Sequence, residues 1–224
     1  MALQKLKTEG TLSDKAYLSL KDNILSLDLK PGEVLLEDRL SEMLGISRTP
    51  IREALKKLTY EGLITTSNGK GTYVTELTTD QFKNIYVIRD SLEALSVRLA
   101  CIHRSAEDIK SLRKMVAEQI EIIRKPKLDD RYYLEVDRKI HMRIAKCSRN
   151  DMLEKYLVQI NESYKRYLYF TNFEKRAEGV TDEHSRIVDA IANNDPEAAE
   201  SIMLTHLKGV NESIHLALVN AGKI

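Results

Sequence analysis

Up to about Glu76 the hydrophobic residues fall in short stripes separated by turn signals. Leu18, Leu20, Ile24, Leu25 and Leu27 mark a helix over Ser13–Leu27, close to the 3.6-residue helical period. Leu29-Lys30-Pro31-Gly32 stops it. Leu36, Leu40, Met43 and Leu44 predict a second helix over Leu36–Leu44, Gly45-Ile46-Ser47 a tight turn, and Ile51, Ala54, Leu55 and Leu58 a third helix over Arg48–Tyr60. Leu63–Thr66 and Thr72–Thr75 then read as two strands joined through Asn68-Gly69, a hairpin signature.

From Thr79 onward the pattern changes. The 107 residues 72–178 contain no glycine and only one proline, Pro126. That predicts long helices joined by short turns. Six are expected, near 79–102, 105–124, 128–147, 151–173, 195–220 and a broken one near 176–193. Phe82, Ile85, Tyr86, Leu92, Leu95 and Leu99 stripe the first; Ile187, Val188 and Ile191 stripe the fifth. The expected fold is mainly α: a winged helix-turn-helix over 1–76, then an all-helical bundle over 77–224. The joint Thr75–Gln81 is short, polar and rich in threonine, so the two should be coupled rather than loosely tethered.

Composition narrows the function. The 224 residues are 42% hydrophobic and 31% charged, enough apolar surface for a real core. No run approaches a membrane span, and the first fifteen residues have no apolar signal-peptide region. Two cysteines, Cys101 and Cys147, make neither a disulfide framework nor a four-thiolate metal site. A cytoplasmic protein with no membrane partner is expected. Lys and Arg total 35 against 34 Asp and Glu. Nucleic acid must therefore be held by a local patch and not by bulk charge.

The third helix offers that patch. Ser47 or Thr49 can cap its start, and Pro50 sits in the first turn, where a missing N–H costs nothing. Ile51, Ala54, Leu55 and Leu58 form one face; Arg48, Thr49, Arg52 and Lys56 form the other. A recognition helix divides in this way, one side gripping its domain and the other offering donors to bases and phosphates. Lys70 adds a cation at the hairpin tip, beside Asn68 and Gly69. A solvated amphipathic helix would show the same face; the hairpin that follows favours DNA.

In the second half the polar residues on apolar stripes need explaining, because burying them costs free energy unless they are paired or ligated. Tyr133, Asp137, Ile140, His141 and Ile144 share one face, with Asp137 and His141 a turn apart. His184 lies one turn before Ile187 and Val188, and His206 shares a face with Ile202 and Val210. His103 and His215 lack such surroundings. Imidazoles and one carboxylate suit Zn²⁺ or another first-row divalent ion such as nickel or manganese. A buried polar network without metal is the alternative.

Residues 12–76 resemble the DNA-binding domain of the GntR family of bacterial transcription regulators. The resemblance rests on Gly45-Ile46-Ser47-Arg48-Thr49-Pro50-Ile51-Arg52-Glu53-Ala54-Leu55, Glu61-Gly62-Leu63-Ile64 and Asn68-Gly69-Lys70-Gly71-Thr72-Tyr73-Val74. It implies operator contacts from Arg48, Thr49 and Arg52, and a wing tip in the minor groove. Some members carry an arginine where Asp38 sits, so the chain departs from them there. Residues 80–218 resemble the FCD effector domain of the FadR subgroup, through Asp137/His141, Glu183-His184 with Asp189-Ala190-Ile191, and His206-Leu207. That resemblance implies that Asp137, His141, His184 and His206 converge on a metal ion, and that Arg89 and Glu93 sit in the effector region. It also implies a small carboxylate effector with Arg89 as its anchor; a simple i,i+4 ion pair between Arg89 and Glu93 is the alternative.

These expectations combine into a homodimeric, ligand-responsive regulator of operator DNA, repression being the more usual sign, with no catalytic residues. A metalloenzyme or a pure metal sensor built on the Asp/His₃ set is the competing reading.

Overall fold

A computed structural model describes residues 10–67, 71–171 and 176–223. The expected wing-tip residues Asn68, Gly69 and Lys70 lie outside the described residues, as do positions 172 and 173 of the expected fourth helix of the bundle. The chain forms two compact units, residues 1–76 and 77–224.

In the first unit α1 runs over Leu12–Leu25, α2 over Glu37–Leu44 and α3 over Arg48–Tyr60, followed by β1 (Ile64–Ser67) and β2 (Gly71–Val74). Thr11 opens α1 with a reciprocal capping box to Asp14, which satisfies two otherwise orphaned donors. Gly45 closes α2 in the left-handed region, at φ 63°, a conformation that any Cβ would oppose. It sets the turn into α3. Ile24, Ile51, Ala54, Leu58 and Val74 are fully enclosed and knit the three helices to the hairpin. The strands are antiparallel, with Ile64 opposite Val74 and Ser67 opposite Gly71. Val34 adds a bridge to Tyr73. Lys57 pairs with Asp14 and Lys21 with Glu61, tying α1 to α3.

The second unit contains α4 (Thr79–His103), α5 (Ala106–Ile123), α6 (Asp130–Cys147), α7 (Asp151–Phe170), α8 (Ala177–Ala192) and α9 (Pro196–Asn220). Side chains of Thr78, Ser105, Asp129, Asn150 and Asp195 cap five of these helices. α4 packs along α9, while α5, α6 and α8 close the opposite side of the bundle. α8 is continuous where a break was expected, because Gly179 falls in its first turn. The face of α4 is also rotated from the expected stripe. Its buried residues are Phe82, Arg89, Glu93, Ala94, Ser96, Val97, Ala100 and Cys101, whereas Leu95 is 44% exposed. Phe82 and Val97 are buried with the charged pair Arg89 and Glu93, and Leu92 and Leu99 are half-buried against Ala145, Leu153 and Leu157; Leu95 is the expected stripe leucine that turns outward.

Leu58 has no exposed surface in the first unit. Leu58→Ala should cost about 2–5 kcal/mol of that unit's stability, measured by denaturant unfolding. A cost below about 1 kcal/mol would show that the three helices do not share a packed core.

Candidate metal centre and nucleic-acid interface

Three helices bring the bundle's histidines together. His141 on α6, His184 on α8 and His206 on α9 are at most 2% exposed, and one ring nitrogen from each lies within 4.8 Å of the others. Their ring centroids are 4.7–5.3 Å apart. Apolar neighbours hold each imidazole inward: Ile140 and Ile144 on α6, Ile187 and Val188 on α8, Met203 and Val210 on α9, all buried.

The hydrogen bonds on the outer sides of these rings decide which nitrogen faces the centre. Nδ1 of His206 is 2.9 Å from a Glu183 carboxylate oxygen, and Nδ1 of His141 is 3.1 Å from a Glu93 oxygen. A carboxylate can only accept, so Nδ1 of His206 carries the proton; the His141–Glu93 approach is an ion-pair distance without hydrogen-bond geometry. Nδ1 of His184 lies 2.8 Å from Oε1 of Gln119 and donates to it. The rings of His184 and His206 are thereby left with a bare Nε2. Nε2 of His184 and Nε2 of His141 face each other at 3.4 Å. Burial, with the neighbouring histidines adding to it, holds the His184 pKa well below the ordinary value. Burial likewise lowers that of His206, against the opposing pull of Glu183. Both rings are neutral near pH 7.

Asp137, one turn before His141, adds a carboxylate. It is 5% exposed, and its Oδ1 lies 3.7 Å from Nε2 of His184 with no hydrogen-bond donor. Neutral imidazole lone pairs facing one another beside a buried, unsatisfied carboxylate oxygen are unfavourable by themselves. A divalent cation at their centre resolves this. The nearest pair of nitrogens is 3.4 Å apart and one nitrogen from each of the three rings lies within 4.8 Å of the others, within reach of one first-row ion whose bonds to nitrogen are about 2.0–2.1 Å. An acceptor on the far nitrogen of each ring is also the usual support for metal-ligating histidine. The donor set therefore fits a metal ion.

The supporting acceptors are where sequence reasoning fell short. Gln119 was missed, although it follows Leu112 and Val116 on the buried stripe of α5, the same signal that exposed the histidines. Glu183 binds His206 with one oxygen, and its other lies 3.5 Å from Arg176. A Cβ at position 209 would sit 2.2 Å from that guanidinium, so Gly209 is the side-chain-free floor on which Arg176 rests. Glu93 was expected in the effector region. It is fully buried, with one oxygen toward His141 and the other 3.3 Å from Arg89. Burial would raise its pKa; the proximity of His141 and then of Arg89 outweighs that and holds it down at about 2.

Arg89 makes the i,i+4 pair with Glu93, donates through Nε to Asn161 at 3.0 Å, and lies 4.1 Å from the Tyr164 ring centre. It also borders a small cavity with Asp137, Arg138, Asn161, Lys165 and Tyr169. The same guanidinium thus touches both the support of His141 and the space next to Asp137.

In the first unit Arg48, Thr49, Arg52 and Lys56 are all exposed on α3, opposite the buried Ile51, Ala54, Leu55 and Leu58. Ser47 occupies the N-cap position without a capping hydrogen bond, which leaves its hydroxyl on the exposed side.

Comparison with known proteins agrees with both halves. Residues 12–74 match the family "Bacterial regulatory proteins, gntR family" and residues 84–209 match the FCD domain. The chain belongs to the GntR family of transcription regulators, in the branch that carries an FCD domain. It is 32% identical to the HTH-type transcriptional regulator YdhC of Bacillus subtilis, over 85% of each chain. It is 30% identical to the Nta operon transcriptional regulator of Aminobacter aminovorans, over 82% of this chain and 85% of the other. It is 28% identical to the transcriptional repressor RspR of Escherichia coli, over 94% and 92%. Escherichia coli McbR/YncC shares the fold, with a TM-score of 0.76 over 95% of this chain and 99% of that one, at 22% identity. These relatives are named regulators, and this GntR-family chain is likewise a regulator and not an enzyme.

Removing two of three imidazoles should empty the centre. His141→Ala combined with His206→Ala should abolish stoichiometric divalent metal in the purified protein by elemental analysis. Full occupancy in that variant would refute the ligand set.

Proposed function

We propose that this GntR-family regulator binds operator DNA as a homodimer. Its FCD unit holds a divalent first-row ion, with zinc first, and a small carboxylate that completes the ion's coordination. The observation that carries the reading is that one chain pairs an exposed basic recognition face with a buried imidazole cluster whose lone pairs face inward.

Asp137, His141, His184 and His206 would hold the ion; when bound it supplies a Lewis-acidic anchor for a carboxylate. Four protein ligands leave open positions on a five- or six-coordinate ion. Arg89, at the cavity wall beside Asp137, supplies a matched charge for the organic anion. Burial works against its charge and Glu93 works for it; the balance raises its pKa. Glu93, Gln119 and Glu183 orient the three imidazoles. A ligand bound there alters DNA affinity only by favouring one of two conformations of the protein.

Ser47, Arg48, Thr49, Arg52 and Lys56 form the DNA face, and Asn68, Gly69 and Lys70 are assigned to DNA from the sequence alone. A single recognition helix gives limited discrimination, which favours two copies on a two-fold operator. α4 supports the same assembly. Ile88, Leu95 and Ile102 recur every seven residues and are 54%, 44% and 62% exposed, and Val87 lies beside them. Such an apolar stripe is normally covered by a partner. Repression relieved by effector is the favoured sign. No helix among the described residues is long and apolar enough to cross a membrane, which is consistent with a cytoplasmic regulator.

On a duplex selected from a random library, Arg52→Ala should weaken binding by about 1–3 kcal/mol with an unchanged melting temperature. A panel of small carboxylates added to metal-loaded wild type should change its affinity for that duplex. Unchanged affinity in the variant would contradict the recognition face; indifference to every carboxylate would contradict the effector assignment.

A further inference from the structure

Two acidic residues at the start of α2 reach onto the two arginines of the recognition face. Nε of Arg48 lies 2.6 Å from Oδ1 of Asp38, and Nε of Arg52 donates to Oε2 of Glu37 at 2.7 Å. Arg48 and Arg52 are one helical turn apart on α3, and Glu37 and Asp38 are adjacent in the first turn of α2. Neighbouring acids therefore hold successive arginines of the outward face in register.

The choice of Nε matters. A guanidinium has five N–H donors in a planar fork. With Nε taken by a carboxylate, the terminal pair of amino groups stays available as a two-donor edge. That edge matches the O6 and N7 acceptors of guanine in the major groove.

Stability does not account for these contacts. The arginine side chains are 60% and 58% exposed, and exposed ion pairs contribute only about 0–1 kcal/mol. Acids at a helix start do favour the helix dipole, and the N-cap of α2 is Leu36, which offers no side-chain cap. A dipole role explains why acids occupy positions 37 and 38. It does not explain why both reach across to Nε of the two arginines that face outward. Their charges also repel the phosphates of any DNA, whatever its sequence.

The geometry points to Glu37 and Asp38 as specificity-determining positioning residues. They brace Arg52 and Arg48 with the terminal amino groups outward, and they penalise backbone-only binding. The inference rests on the DNA-reading assignment of α3. In the free protein the brace restricts rotamer freedom that each arginine would otherwise lose on docking. In sequence-specific complexes this preorganisation is retained and the two-donor edge is satisfied by guanine. On random DNA the acids still repel and the edge has no fixed partner.

The test uses the full chain. Wild-type protein enriches a duplex from a random-sequence library, and Kd is then measured for that duplex and for a random-sequence duplex of equal length. Glu37→Gln, Asp38→Asn and the double variant are compared with wild type. The variants should bind the random duplex about threefold to tenfold more tightly and the enriched duplex no more tightly, so that the specificity ratio falls at least about threefold. Asp38→Glu, which keeps the charge, should retain most of the ratio. A ratio unchanged in the double variant, or affinities that rise or fall together on both duplexes, would overturn the brace; a melting-temperature change with a constant ratio would assign the acids to helix stability alone. Failure of wild type to enrich any sequence would remove the DNA-reading assignment and the brace with it.

Discussion

Three buried imidazoles turned face to face inside the bundle are the interaction on which the second unit depends. His184 and His206 have the outer nitrogen bound to an acceptor and the inner nitrogen bare, and the outer nitrogen of His141 lies 3.1 Å from Glu93. Inside a low-dielectric core, opposed lone pairs and an unsatisfied aspartate oxygen are expensive unless something positive lies between them. The rest of the arrangement follows from holding the rings there. α6 supplies both Asp137 and His141 from one face, α8 and α9 supply one ring each, and α4 and α5 contribute Glu93 and Gln119 from behind. Five of the six helices are thus bound to one centre by charge and hydrogen bonding as well as by apolar packing. This explains why α4 turns Arg89 and Glu93 inward beside Phe82 and Val97.

The two units solve opposite electrostatic problems. The second buries charged and polar groups and sets opposite charges against each other. Arg89 answers Glu93, Arg176 answers Glu183, and Asn211 links Asp90 to the Tyr164 hydroxyl. The first keeps its charges in water, where pairing contributes little to stability and orientation is what remains to be gained. Its fold rests on apolar contact among α1, α3 and the hairpin, and its charged face is free to serve recognition.

Most of this architecture was legible in the chain. Arg48–Tyr60 has the bounds that the stripe of Ile51, Ala54, Leu55 and Leu58 predicts, and the helices of the second unit begin within two residues of their expected starts. Glycine spacing and polar caps carry that information locally. The inward direction of Asp137, His141, His184 and His206 was readable for the same reason: each interrupts an apolar stripe. What periodicity does not convey is partnership between distant helices. Gln119 behind His184, Glu93 behind His141, and the need for Gly209 beneath Arg176 depend on helix packing, which no local pattern encodes. The hold of Glu37 and Asp38 on Arg52 and Arg48 is equally a property of the turn at Gly45, which sets α2 against α3.

X-ray absorption at the metal edge, on protein purified without chelator, addresses the centre most directly. A first shell of nitrogen and oxygen near about 2.0–2.1 Å, with the outer-shell scattering of several imidazoles, is the expected spectrum. A stoichiometric ion with a sulfur-dominated shell, or no bound first-row metal at all, would contradict the proposed centre.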